Sequence, residues 1–177
     1  MKKDELLDLV NEKDEVVGTV RRSEAHKDSS KIHREVAILL FTKDGRVLLE
    51  ERSFKKDHEP GAWRIPAGHI LSGEDPENMA KKEVFEELGI KINPVFYGKK
   101  FSISEGRESR FFWIYYAILN ENIKINVNKD ESETIEWIKV GELDKFSKDH
   151  KYSLTSPSHE LTMEVYKYLV QNKIVNS

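Results

Sequence analysis

Apolar residues fall in short runs separated by polar turn signals. Leu7 to Asn11 and Glu15 to Arg21 flank Lys13-Asp14, a pattern that predicts an N-terminal β-hairpin. Val36 to Thr42 and Val47 to Glu51 flank Lys43-Asp44-Gly45, and the Asp-Gly pair favours the positive φ angles of a tight hairpin turn. The first arm of this second hairpin, Val-Ala-Ile-Leu-Leu-Phe, lacks polar alternation and is predicted to be buried on both faces.

At Asp75 the spacing becomes helical. Asp75 can accept hydrogen bonds from free backbone N–H groups, and Pro76 suits the first helical position, where no donor is needed. Met79, Ala80, Val84 and Leu88 then form one packing face, and Gly89 supplies the left-handed residue that ends the helix. Phe111 to Leu119 and Thr134 to Val140 are rich in aromatic and β-branched residues and predict strands. Ser156-Pro157 opens a last helix with Leu161, Val165 and Leu169 on one stripe. Strands, a helix and strands again predict a mixed sheet flanked by helices, an α/β sandwich.

A chain of 177 residues suits one compact domain, and 38% hydrophobic with 34% charged residues is a globular composition. The longest apolar run, Phe111 to Leu119, is too short to cross a bilayer as a helix. Met1-Lys2-Lys3-Asp4-Glu5 opens no leader pattern, so the expected compartment is the cytoplasm and no membrane partner is expected. Cysteine is absent, which excludes disulfides, thiolate metal sites and a cysteine nucleophile. A net charge of −3 argues against a general nucleic-acid binder. Arg21, Arg22, Lys27, Lys31, Arg34, Arg46, Arg52, Lys55 and Lys56 nevertheless precede an acidic stretch. That order suits either a metal-bound phosphate ligand or a solvated surface.

The acidic stretch carries the chemistry. Glu83, Glu86 and Glu87 stand at i, i+3 and i+4 and share one helix face, where like charges repel. A hard divalent cation is their natural counterpart, with a solvated acidic face as the ordinary alternative. The surroundings separate the two: a glycine at 68, Glu74 in the loop, a capped helix and a glycine stop at fixed offsets.

Gly68, Glu74, Glu83, Val84, Glu86, Glu87, Gly89 and Ile90 resemble the Nudix box, with Lys82 where the family has arginine. The resemblance implies the Nudix fold, an α/β/α sandwich with a mixed β-sheet, as a single domain over 1–177. Residues 1–34 would be an N-terminal hairpin extension, 68–90 the box and 157–173 the C-terminal helix. It also implies Mg²⁺, or Mn²⁺, held by Glu86 and Glu87, with Glu83 as ligand or base and the Gly68 carbonyl as a further ligand. Water would attack phosphorus in a diphosphate linkage of a small nucleotide-like substrate. Glu131 or Glu133 is an alternative base. Lysine at 82 offers a point charge instead of a planar fork, which is expected to loosen the glutamates.

The flanks resemble the branch that includes isopentenyl-diphosphate isomerase, through Leu9 to Glu12, Gly18, His26, His33-Arg34, Leu48 to Arg52, Lys55-Lys56, Pro60-Gly61, Trp63 and Gly68-His69. In those isomerases, histidines at the places of His26, His33 and His69 bind a metal with two glutamates from a later strand. The resemblance also puts Arg22, Arg52 and Lys56 at basic positions that face the diphosphate. Two departures oppose isomerisation. Ala67 stands where the isomerase carries its proton-moving cysteine, and aligning Glu108 with the first strand glutamate puts Arg110 at the second. Hydrolysis is therefore expected, with His26 and His33 as loop residues rather than ligands and His69 as a loop residue. Isomerase activity and a non-catalytic nucleotide-binding module are the alternatives. Retention of every box glutamate argues against the binding module. Trp63 suits base stacking or a buried sheet anchor. A homodimer through the N-terminal hairpin or through Phe111 to Tyr116 is open, as is burial of either. The substrate is not encoded in the box.

Overall fold

The computed structural model of the chain describes residues 4–56, 58–104, 108–149 and 154–176. Met1 to Lys3 lie outside the described residues.

Both predicted hairpins form. Strand β1 (Leu6–Val10) pairs antiparallel with β2 (Val16–Arg21), and Asp14 takes φ 62° in the turn. After a short helix α1 (Arg22–Ala25), β3 (His33–Thr42) turns into β4 (Arg46–Arg52) through Gly45 at φ 79°. Val36 to Phe41 are buried throughout, as the unbroken apolar run requires. Two short strands follow, β5 (Trp63–Arg64) and β6 (Ala67–His69), and then α2 (Pro76–Leu88). Asp75 Oδ1 accepts the Asn78 N–H at 2.9 Å, which is the cap expected of it. Strands β7 (Val95–Ser104), β8 (Glu108–Leu119) and β9 (Ser132–Lys139) complete the sheet. A 3₁₀ turn, α3 (Leu143–Asp149) and α4 (Ser156–Gln171) close the chain.

Hydrogen bonding orders the larger sheet β5-β4-β3-β8-β7, with β6 on β3 and β9 on β4. A parallel bridge between Trp63 and Leu154 accompanies the antiparallel pairings, giving the mixed α/β pattern that was expected. No helix among the described residues is long and apolar enough to cross a membrane.

The residues pack as two compact units. The first comprises the chain up to Ala37, Ala67–Ala80 and Phe96–Tyr115. In it Leu7, Val20 and Ala25 form one apolar cluster, and Val10, Ile32 and Phe111 form another against Trp113. The Lys99 ammonium lies 3.6 Å above the Trp113 ring and pairs with Asp14 at 2.5 Å. The second unit comprises Ile38–Pro66, Lys81–Val95 and the chain from Tyr116 onward. Its core includes Leu39, Leu48, Val84 and Leu88 with Leu161, Val165 and Leu169 of α4, all fully buried or nearly so.

Strand β8 lies between β3 and β7, and Phe111, Phe112, Ile114, Tyr115 and Tyr116 are buried. Those residues are core and present no strand edge to a second copy. On β2, Val16 and Val17 remain exposed. The pattern missed β7, whose sequence VFYGKKFSIS is broken by glycine and two lysines. It becomes a strand by pairing with β8, a tertiary effect that outweighs its weak local preference.

At Gly45 a Cβ would lie 2.8 Å from both the Asn176 carbonyl oxygen and the Tyr166 hydroxyl, in a backbone conformation that disfavours side chains. Gly45→Ala is expected to cost about 1–2 kcal/mol or more. Urea denaturation measures this, and an unchanged midpoint would show that the turn relaxes freely.

Candidate active site

The second unit assembles the carboxylates. At the end of α2 the carbonyls of Glu86, Glu87 and Leu88 accept hydrogen bonds from Asn128 Nδ2, the Asn128 N–H and the Asn126 N–H at 3.1, 2.8 and 3.0 Å. Carbonyls left over at a helix end need such donors, so the loop before β9 is fastened to the helix that bears the glutamates. Gly89 ends the helix at φ 67°, as expected.

The three glutamates share a helix face but not an environment. Glu87 is 2% exposed, Glu83 is half-buried, and the Glu86 side chain is 54% exposed. Register explains what holds Glu87. Glu50 of β4 lies directly opposite Arg64 of β5, and the Arg64 fork donates from Nε to Glu50 Oε1 at 2.8 Å and from Nη2 to Glu87 Oε1 at 2.7 Å. Glu50 Oε2 accepts the Ser132 hydroxyl at 2.7 Å. Glu87 Oε2 is buried and has no hydrogen-bond partner among the described residues. Burial first, then the charge of Glu50, hold the Glu87 carboxyl well above the usual range, against the pull of Arg64.

Cations surround this group. Arg52 donates from Nε to the His58 carbonyl at 2.7 Å and feels the charges of Glu50, Glu87 and Glu131. The Lys56 ammonium pairs with Glu131. Glu133 turns elsewhere: it accepts the Phe54 N–H and the Ser53 hydroxyl, each at 2.9 Å, and these bonds keep its carboxyl below the usual range. Of the two alternative bases, Glu131 is the one whose charge reaches Glu87. Trp63 is 3% exposed and meets Phe146 edge-on at 5.0 Å, so it anchors the sheet and is not open to stack on a base.

The first unit assembles the histidines. His33 and Glu35 alternate onto one face of β3, Glu35 sits opposite His69 of β6, and Glu108 and Arg110 alternate onto one face of β8. His26 follows α1. His26 Nε2 lies 2.8 Å from His69 Nε2 and 3.4 Å from Glu108 Oε2. His33 is fully buried on a strand, which corrects its reading as a loop residue, and both its ring nitrogens lack a hydrogen-bond partner among the described residues. Burial keeps His69 neutral, pushing its pKa down to about 3. Burial would raise Glu35, but the Arg110 guanidinium holds it well below the usual range. Arg22 belongs to this unit, where it pairs with Glu5 at 3.3 Å and its charge acts on His26 and His69. Gly68 also lies in this unit, on β6 opposite Val36, next to Ala67 opposite Ala37.

Residues 31–156 match the model of the NUDIX domain. The chain belongs to the Nudix family. Among its relatives is an isopentenyl-diphosphate Delta-isomerase of Streptomyces coelicolor, 38% identical over 86 residues, which are 48% of this chain and 44% of that enzyme. The chain thus spans less than half the length of that relative. A Nudix hydrolase of Listeria monocytogenes, uncharacterised, is 32% identical over 108 residues, 59% of this chain and 64% of that protein. The crystal structure of DR0079 from Deinococcus radiodurans superposes with TM-score 0.75 at 24% identity, covering 92% of this chain and 99% of that one, and shares the fold.

Within the Nudix box, Lys82 lies 4.0 Å from Glu86 and leaves Glu87 to Arg64. A planar fork reaches Glu87 from β5, through Arg64. Arg64 and Glu50 escaped the sequence reading because the two are brought together only by strand register. The available signal was indirect: a buried carboxylate on α2 requires a cation from some other element. The donor chemistry of the two groups fits divalent ions of different kinds. An unpartnered buried carboxylate oxygen among further carboxylates suits a hard cation such as Mg²⁺. His26, His33, His69 and Glu35 offer ligand atoms that all lie within 4.8 Å of one another, a set suited to a softer ion.

Proposed function

We propose that this Nudix chain is a Mg²⁺-dependent hydrolase that cleaves a diphosphate linkage in a small nucleotide-like molecule, with Mn²⁺ as the alternative ion. The observation that carries this reading is Glu87 Oε2, a buried carboxylate oxygen without a hydrogen-bond partner among acidic neighbours. Glu83, Glu86 and Glu87 hold the cation. When bound, such an ion offsets charge on phosphate oxygens and makes water a better nucleophile. Arg64 fixes Glu87 in place, and Arg52 and Lys56 bring positive charge to the same unit. In the reaction, a water oxygen bonds to phosphorus and its proton passes to a carboxylate. The bridging oxygen leaves with the electron pair of the broken P–O bond. Glu83 and Glu131 are the two candidates for that proton.

The isomerase relatives support a second reading, conversion of isopentenyl diphosphate to its isomer. Ala67 opposes it, because a methyl group transfers no proton and the chain has no cysteine to substitute.

The test is incubation of the purified chain with Mg²⁺ and nucleoside di- and triphosphates, nucleotide sugars, dinucleotides and isopentenyl diphosphate, with products separated by chromatography. The expected outcome is a phosphorylated product that disappears with EDTA. Isomer formation without hydrolysis would replace this reading with the second. Nucleotide binding without any product would make the chain a binding module.

A further inference from the structure

The hydrolase reading uses nothing on β7. We propose that β7 pairs edge to edge with β7 of a second copy of this chain, antiparallel about a two-fold axis at Phe101. The inference stands apart from the hydrolase reading, which draws on residues of the other unit. Strand β7 ends the order of the larger sheet and pairs only with β8 among the described residues. An edge strand of this kind offers a row of N–H and C=O groups to another chain, and proteins usually guard it with proline, a bulge or outward lysines. Val95–Ser104 has no proline. Its Lys99 is drawn onto the sheet face, with the ammonium 3.6 Å above Trp113 and 2.5 Å from Asp14. A Cβ built at Gly98 would meet nothing within 4 Å, so another backbone can come close there.

The side chains match that geometry. Phe101 packs on Phe111 with ring centroids 4.8 Å apart and Lys99 lies on Trp113, so residues 99, 101 and 103 share one face of the strand. Phe96, Phe101 and Ile103 are exposed there, Ile103 at 61%. The Asp14–Lys99 pair ties the β1–β2 turn to β7, and Val16 and Val17 stand exposed just after that turn. Together these side chains present roughly 450 Å² of apolar surface, taking an aromatic side chain at roughly 200 Å² and an aliphatic one at a little less. That equals the apolar share, a little over half, of the roughly 800 Å² that each partner gives to a stable interface.

Charge selects the partner. Asp14 offsets Lys99, which leaves this face apolar rather than basic and suits it to an uncharged partner better than to an acidic peptide or a nucleic acid. Antiparallel edge pairing is two-fold by nature, so the strand is complementary to itself. Like-charge repulsion then sets the register. An axis at Lys99 would bring two ammonium groups face to face. An axis at Phe101 sets the two phenylalanines side by side, a favourable cross-strand pair, and puts Ile103 against Lys99 of the other copy.

The experiment combines sedimentation velocity of the full chain with thiol cross-linking. Wild type should sediment as a dimer. Ile103→Lys should weaken association about 10-fold or more, because the two-fold axis repeats the new repulsion with Lys99. The chain has no cysteine, so any introduced thiol is unique. Opposed residues of antiparallel strands have Cα atoms about 4.5–5.5 Å apart, within disulfide reach. Mild oxidation of Phe101→Cys should therefore give a covalent dimer. Ile103→Cys, roughly 14 Å from its own copy, should not. Met163→Cys, exposed on α4, should not either. Circular dichroism on the same samples separates lost pairing from lost folding. A wild type that sediments as a monomer at every concentration overturns the proposal. A dimer that persists undiminished in Ile103→Lys, or that cross-links through Ile103→Cys or Met163→Cys as readily as through Phe101→Cys, overturns it equally.

Discussion

Glu87→Gln is expected to remove most turnover and, without metal, to make the fold more stable at pH 8. The loss of activity follows from the proposed role of Glu87, because an amide presents a neutral oxygen to a cation. A fall of about 10²–10³-fold is the scale for losing one charge-stabilising group in an active site. The stability gain follows from its surroundings. Burial and the neighbouring Glu50 raise its carboxyl well above the ordinary 4.5. The folded chain therefore holds a proton that the unfolded chain has already released. That contribution to stability is fully present below the unfolded pKa and is lost as pH rises through the folded one. Glutamine carries no such penalty and still accepts from Arg64. Urea midpoints of both proteins in EDTA at pH 5 and pH 8 test this. The gap should open in favour of the variant at the higher pH. A gap independent of pH would sink the electrostatic argument, and parental turnover would remove Glu87 from the site.

Arg64→Met is expected to act in the opposite direction. It leaves Glu50, fully buried, and Glu87, 2% exposed, without the guanidinium that links them. Removing one partner from a buried charge network typically costs about 3–5 kcal/mol, since the remaining charges stay desolvated. Glu87, whose carboxyl already lies well above the usual range, can escape by taking up a proton, so the deficit should be largest at pH 8 and shrink toward pH 5. Arg64→Lys should recover part of it, as an ammonium reaches one carboxylate but cannot fork to two. Denaturation at the two pH values measures the deficit. A loss below about 1 kcal/mol would place the pair in the class of weak surface ion pairs.

What could be read from the sequence was what depends on local spacing. The Asp-Gly turn at Gly45, the Asp75-Pro76 start, the Gly89 stop and the burial of Val36 to Phe41 each depend on residues within a few positions of one another. The box glutamates were legible for the same reason. Their unequal exposure was not, because it depends on which elements cover the helix. Arg64 opposite Glu50 and Glu35 opposite His69 are pairings of register. A slip of one residue would turn every one of these side chains to the other face. His33 was misread for a related reason: a lone histidine near a loop is usually solvated, and only the strand that begins there buries it.

The stack of Lys99 on Trp113 gives the first unit an optical label of its own. The chain has three tryptophans, and Trp63 and Trp137 both belong to the second unit. With those two replaced by phenylalanine, all remaining indole fluorescence would come from Trp113, whose ring carries an ammonium 3.6 Å above it. Emission would then report on the histidine-bearing unit alone, and Lys99→Met would shift it by removing the charge from the ring face.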